Sequence, residues 1–267
     1  MKKSLTIRLL LVAALAATTA IANDRWEDGD DGNGTANQLV HGTEQAHDLQ
    51  AVGAVADQDW YRISLGSRSS YEVVVDGTAA VISPATVGFL ALVDSAGTVV
   101  QDNLGAELAA NTLPSRAVRI ENTAASASNN NFIRVRSNGC TTACGADAVY
   151  NIRMFETTYF VPRFNNSATQ ATVLIIQNSD TGVFAINVSG NIWFFDALGN
   201  LLASHAFQLG PRSTLVLNTT TVPGVAGQSG SMVVTHNQSY GKLAGKAVAV
   251  EAATGFTFDT LMVPRAR

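Results

Sequence analysis

Residues 56–66 read ADQDWYRISLG. Side chains leave a β-strand on alternate faces, so Asp57, Asp59, Tyr61, Ile63 and Leu65 share one face and Trp60, Arg62 and Ser64 the other. Tyr61, Ile63 and Leu65 read as core. Asp57 and Asp59 then fall at the rim of that core, just before regular pairing begins. Two carboxylates beside apolar packing need compensation, because a buried charge without a partner is costly.

Outward from this strand the same grammar continues. WYRISL, YEVVVDG, VGFLALVDSAGTVVQ, RAVRIEN, NFIRVRS and AVYNIRMFE form one series of strand-length runs. QATVLIIQNSD, FAINVSG, NIWFFDALGNLLASH, STLVLNTT, GSMVVTHN, GKAVAVEAATG and FTFDTLMV form a second. Gly, Asn, Asp and Ser separate the runs, the spacing of an all-β protein built as two consecutive β-sandwich domains. Each series holds a hairpin, LVDSAGTVV and FFDALGNLL, in which Asp bonds its own backbone and Gly takes a positive φ. A helix is an option only over Leu104–Leu113. Pro162 cannot donate to a ladder, so a strand is expected to break there. The division falls at 23–157 and 158–267, with Trp193 of NIWFFDA assigned to the second core.

The first residues, MKKSLTIRLLLVAALAATTAIAND, have a basic start, a short apolar run and a small-residue Ala20-Ile21-Ala22 end. That is the pattern of a bacterial signal peptide, residues 1–22, with cleavage after Ala22. The expected product is secreted and soluble, in the periplasm, on the surface or in the medium. The formal charge is −4, and becomes −7 without the three positive charges of the leader. Residues 23–160 carry 17 acidic and 8 basic side chains, residues 161–267 carry 4 and 6, and no basic stripe suggests nucleic acid. Cys140 and Cys144, the only two cysteines, are expected to pair in an oxidising compartment and pin a short turn. The chain-entropy model credits such a loop with about 2 kcal/mol.

The first half resembles the bacterial pre-peptidase C-terminal domain, a secreted sandwich of jelly-roll-like form often attached to extracellular proteases. The resemblance rests on DGNGTANQ at 31–38, ADQDWYRISL at 56–65, FLALVDSAGTVV at 89–100 and FIRVRS with AVYNIRMF across 132–155. It spans residues 27–156. The family often opens with Glu-Pro-Asn-Asp, where this chain has Asp31-Gly32-Asn33-Gly34. The resemblance implies a fold and a secreted setting; HExxH and G-x-S-x-G are both missing from the sequence, so it does not imply peptidase activity. The second half looks immunoglobulin-like by pattern alone.

Residues 23–59 hold nine acidic side chains and one basic, an arm expected to stay weakly structured unless a cation orders it. Three readings compete there, one of them paired catalytic carboxylates as in glycosidases, for which no matching cleft signature or second motif is present. Asp30, Asp31, Asn33, Asp57 and Asp59 supply oxygens for calcium, which some domains of the resembled kind bind at their N-terminal end. Alternatively the arm is simply solvated and the aspartates serve turns. Trp60 and Arg62 form a candidate platform for sugar or peptide, unless the arm covers them through Trp26. HGTEQAH offers His41, Glu44 and His47, but Glu44 faces away from both histidines on a strand, so no zinc set is read there. The function expected is a non-catalytic binding or structural module for extracellular protein or polysaccharide. The alternative is a secreted hydrolase, or hydrolase accessory, with a site assembled from scattered residues.

Overall fold

The computed structural model describes residues 29–49, 57–77, 89–102, 115–136, 149–181 and 187–265. The signal peptide, Trp26, the helix option at 104–113 and the Cys140–Cys144 pairing lie outside the described residues. The chain is all-β, as its alternation dictates, and its sheets are antiparallel.

The first half supplies β1 (Glu44–His47), β2 (Gln58–Leu65), β3 (Ser69–Gly77), β4 (Phe89–Asp94), β5 (Val99–Asp102), β6 (Ser115–Asn122), β7 (Ser128–Arg136) and β8 (Tyr150–Glu156). They form two sheets, ordered β1-β8-β3-β6 and β2-β7-β4-β5. Between these sheets lies a core that includes Tyr61, Ile63, Val73, Leu90, Ile133, Val135 and Ile152. The inward face of β2 is therefore the one its alternation marked.

The second half supplies β9 (Tyr159–Asn165), β10 (Gln170–Asn178), β11 (Val188–Asp196), β12 (Leu201–Leu209), β13 (Thr214–Asn218), β14 (Ser229–His236), β15 (Leu243–Glu251), β16 (Thr257–Leu261) and β17 (Val263–Pro264). Their sheets run β12-β11-β14-β9-β17 and β13-β10-β15-β16. A separate core containing Phe164, Leu174, Ile176, Ile192, Phe194 and Val234 fills the space between them.

Both hairpins close as their sequences require. Asp94 Oδ1 accepts from Ala96 N and Thr98 N, each at 2.9 Å, and Asp196 Oδ1 accepts from Leu198 N and Asn200 N, each at 2.8 Å. Gly97 and Gly199 take φ of 80° and 84°. Hydrogen bonds from the Asn200 side chain and backbone hold the Asp196 carboxyl below its ordinary pKa.

Two expectations change. Pro162 does not break β9: pairing with β14 shifts register between Gly230 and Met232, so the proline sits in a bulge. A bulged residue owes the ladder no N–H, so the strand carries proline without losing a bond. Trp193 is buried, yet not in the second core. Ile192 and Phe194 fill that core, while Trp193 turns to the opposite face of β11, toward the first sandwich.

A polar seam joins the two halves. Glu72 accepts from Arg119 Nε at 3.2 Å and from Tyr240 N at 2.9 Å, and Arg119 Nη2 donates to Ser239 Oγ at 2.8 Å. Glu121 Oε1 accepts from Asn191 Nδ2 at 2.9 Å and from Thr235 Oγ1 at 2.5 Å. The guanidinium of Arg68 lies 5.3 Å from the Trp193 ring centroid, a cation–π contact across the seam. A buried carboxylate, Glu72, and a half-buried one, Glu121, each take several donors, which fixes orientation as well as position.

Candidate functional site

Residues 30–39 of the acidic arm run along the edge of β2. Trp60 N donates to Asp30 O at 2.7 Å, Arg62 N to Asn37 O at 2.8 Å, and Leu39 N to Arg62 O at 3.1 Å. Gln38 pairs with Arg62 in a parallel bridge. An edge strand with open donors and acceptors is thereby covered. Pairing carries Asp30 inward at the mouth of β2, where Asp59 also points inward.

A third side chain meets them. Strand β1 pairs with β8 so that His47 lies opposite Tyr150. Donor atoms of Asp30, His47 and Asp59 all fall within 4.8 Å of one another. The three residues are 2%, 1% and 1% exposed. His47 Nδ1 faces Asp30 Oδ2 at 3.8 Å. Tyr150 donates its hydroxyl proton to Asp59 Oδ2, and so Tyr61, whose oxygen is 2.6 Å from that of Tyr150, donates to Tyr150 in turn. Burial, followed by the Asp59 charge, pushes the Tyr150 phenol well above its ordinary pKa, so it stays a donor.

The imidazole is oriented from behind. Gln45 Nε2 donates to the Gln38 carbonyl at 2.8 Å, which turns Gln45 Oε1 toward His47 Nε2 at 3.1 Å. Asn37 Nδ2 lies 3.5 Å from the same ring nitrogen, so His47 Nε2 sits between an amide oxygen and an amide nitrogen. The Tyr61 ring packs edge-on to the imidazole at 4.9 Å, and the Tyr150 ring stacks at 5.9 Å.

Of the five residues read as a calcium set, only Asp30 and Asp59 enter this cluster. Asp31 and Asn33 are exposed, and the Asn33 amide donates to Ser95 O at 2.7 Å. Asp57 is buried beside the arm but outside the triad. His47, weighed in the sequence only with His41 and Glu44 and set aside there, is the third member. Its signal was present, since it closes a strand with Glu44 pointing outward, but the partners are distant in the chain.

Trp60 and Arg62 occupy the outer face of β2, as alternation requires. Trp60 is 6% exposed and packs with Ala91, Val93 and Phe132. The β4–β5 turn covers it: a Cβ on Gly97 would stand 3.1 Å from Trp60 Cη2, which explains the glycine. The indole is therefore a floor and not an exposed stacking platform. Above it the Arg134 guanidinium lies 5.6 Å from the ring, and Arg62 lies 5.4 Å from that of Phe132. Arg136 shares this face, opposite Gln58. Burial first, then the charge of Arg136, lowers the Arg134 pKa, a sign that guanidiniums crowd together here.

A small cleft of about 140 Å³ lies where the halves meet, lined in part by His41, Tyr71, Glu156 and Arg265. Its polar groups have structural bonds: His41 Nδ1 accepts from Glu156 N at 2.8 Å, and Arg265 Nη1 donates to Glu156 Oε2 at 2.5 Å.

No family model and no curated protein matches the chain. Among solved structures, a glycoside hydrolase family 2 β-glucuronidase aligns at 12% identity over 91% of this chain and 26% of its own, with a TM-score of 0.19. A putative β-galactosidase from Bacteroides fragilis aligns at 13% identity over 83% of this chain and 35% of its own, also with a TM-score of 0.19. The chain thus spans about a quarter to a third of those proteins' lengths, and a likeness at this level carries no functional argument.

Proposed function

We propose that the chain is an exported, non-catalytic binding module of the resembled sandwich type, and that the outer face of sheet β2-β7-β4-β5 grips an acidic extracellular polysaccharide. One observation carries this reading. Arg62, Arg134 and Arg136 gather over Trp60 and Phe132 on one face of a strongly acidic domain. Guanidinium forks match carboxylate and sulfate groups in pairs of hydrogen bonds, and stacking on aromatic rings holds Arg62 and Arg134 in orientation.

The arm supports the same face from beneath. Both backbone groups of Arg62 are bonded to it, through Asn37 and Leu39. A divalent cation at the Asp30–Asp59 mouth fastens arm to strand, and so couples the position of Arg62 to metal occupancy. Binding of the cation to the folded state alone also stabilises that state by mass action.

The test is an array of neutral, uronate-rich and sulfated polysaccharides, with proteins printed alongside. The expected result is selective capture by the acidic polymers, weakened at least tenfold by Arg62→Ala and reduced as salt rises. Equal capture of neutral polymers, indifference to Arg62→Ala, or capture by protein spots alone overturns the polysaccharide reading.

A further inference from the structure

Glu251 stands where the second core runs out. Leu243 and Ala247 of β15 face that core, and alternation puts Ala249 and Glu251 on the same face, at its rim. Glu251 N donates to Phe256 O at 2.9 Å and Gly255 N to Glu251 O at 2.8 Å, with Gly255 at a φ of 72°. The turn therefore sets Phe256 directly across from Glu251, and the register sets Phe258 across from Ala249. Side chains opposite each other in an antiparallel pair are neighbours. With Gln170 and Thr257 they line a recess of about 80 Å³.

Glu251 Oε1 is shut off from the surface and receives no hydrogen bond, a costly state for a carboxylate oxygen. The rings beside it stay open, Phe256 76% and Phe258 50% exposed. Phe258 already takes one cation, the Arg163 guanidinium, 5.2 Å from its centroid. A carboxylate oxygen lacking a donor and walled by two phenyl rings selects a positive donor on an apolar stem. That describes lysine, whose methylenes lie along apolar surface while the ammonium reaches further. A sugar needs hydroxyl partners that Phe256, Phe258 and Ala249 do not supply.

The backbone alongside favours a peptide. In an antiparallel ladder, residues bonded to the neighbouring strand alternate with residues that are not. The bonds from Glu251 N to Phe256 O and from Met262 N to Gly245 O turn the backbone groups of Phe256, Phe258, Thr260 and Met262 toward β15. Those of Thr257, Asp259 and Leu261 point away from it, and among the described strands β16 has no neighbour on that side. Open edges of this kind accept an added strand, with main-chain bonds giving affinity and side-chain pockets giving specificity. The added strand would lie about 10 Å from β15, a gap that a lysine stem and the Glu251 side chain span together.

We infer that the free edge of β16 binds an extended, lysine-bearing peptide of a partner protein, and that Glu251, beside Phe256 and Phe258, receives the ammonium. The site lies on the second sandwich and owes nothing to the arginine face of the first.

The experiment records nitrogen-15 spectra of the mature chain, titrated separately with a short Val/Thr peptide carrying one central lysine, with its norleucine counterpart, and with glucosamine. The lysine peptide is expected to shift the amides of Thr257, Asp259 and Leu261 and to bind about tenfold more tightly than the norleucine peptide. Glu251→Gln should erase that preference in a chain whose spectrum is otherwise unchanged. Arg163→Gln, which removes a competing cation, should strengthen it. Equal binding of the two peptides, binding of neither, or a preference that survives Glu251→Gln overturns the inference. So does a shift of Glu251 by glucosamine alone, which makes the recess an amino-sugar site. Lysine binding that appears only in Arg163→Gln overturns it too, because Arg163 is then the occupant.

Discussion

His236 makes the stability of the second sandwich depend on pH in a window that the structure defines. The ring is fully buried at the end of β14, its Nδ1 accepts from Gln238 N at 3.0 Å, and its face lies 5.6 Å from Tyr159. Burial pushes its pKa down to about 4; the Thr157 backbone counters this in part and the Arg119 charge adds to it. In the unfolded chain an ordinary histidine titrates near 6.5. As pH falls from about 6.5 to about 4, the unfolded state takes up a proton that the folded state refuses. Stability is therefore fully present above the unfolded value and is lost progressively on acidification down to the folded one. The gap corresponds to about 3 kcal/mol in all, of which about 2 kcal/mol is lost by pH 5. Denaturant unfolding of the full chain at pH 7 and pH 5, followed by tryptophan fluorescence, reads this loss. His236→Asn keeps an acceptor for Gln238 N and removes the titration, so its stability should fall about 2 kcal/mol less than that of the unmutated chain. Parallel profiles for the two would refute the reasoning. So would a His236 resonance that titrates near 6.5 in the folded protein.

Two further perturbations probe how the halves are built and joined. Arg119→Ala leaves the buried Glu72 carboxylate with only Tyr240 N among the donors named above, and should cost about 3 kcal/mol. Calorimetry is expected to show one transition for the unmutated chain and two for the variant; an unsplit transition at unchanged temperature would mean that the seam carries little energy. Gly190→Ala would place a Cβ 2.0 Å from the Thr235 carbonyl oxygen, against backbone that cannot swing aside. A loss of about 3 kcal/mol is expected by thermal melting, and a loss under about 1 kcal/mol would show that β11 and β14 slide apart easily.

The sequence by itself determined what depends on neighbours in the chain. Alternation in QDWYRISL assigned the two faces of β2, and Asp-x-x-Gly assigned both hairpins, because strand pleat and turn conformation are local properties. Alternation also held the answer for Trp193, had the faces of NIWFFD been assigned strictly, and the bulge at Pro162 needed the partner strand's register. Only the tertiary structure decided the triad. Tyr150 and Asp59 are 91 residues apart, and they meet because β1 pairs with β8 while the arm runs parallel to β2. Which inward residues of two sheets become neighbours is set by sheet order and register. Those are fixed by burial of the whole core, and no short window of sequence contains them.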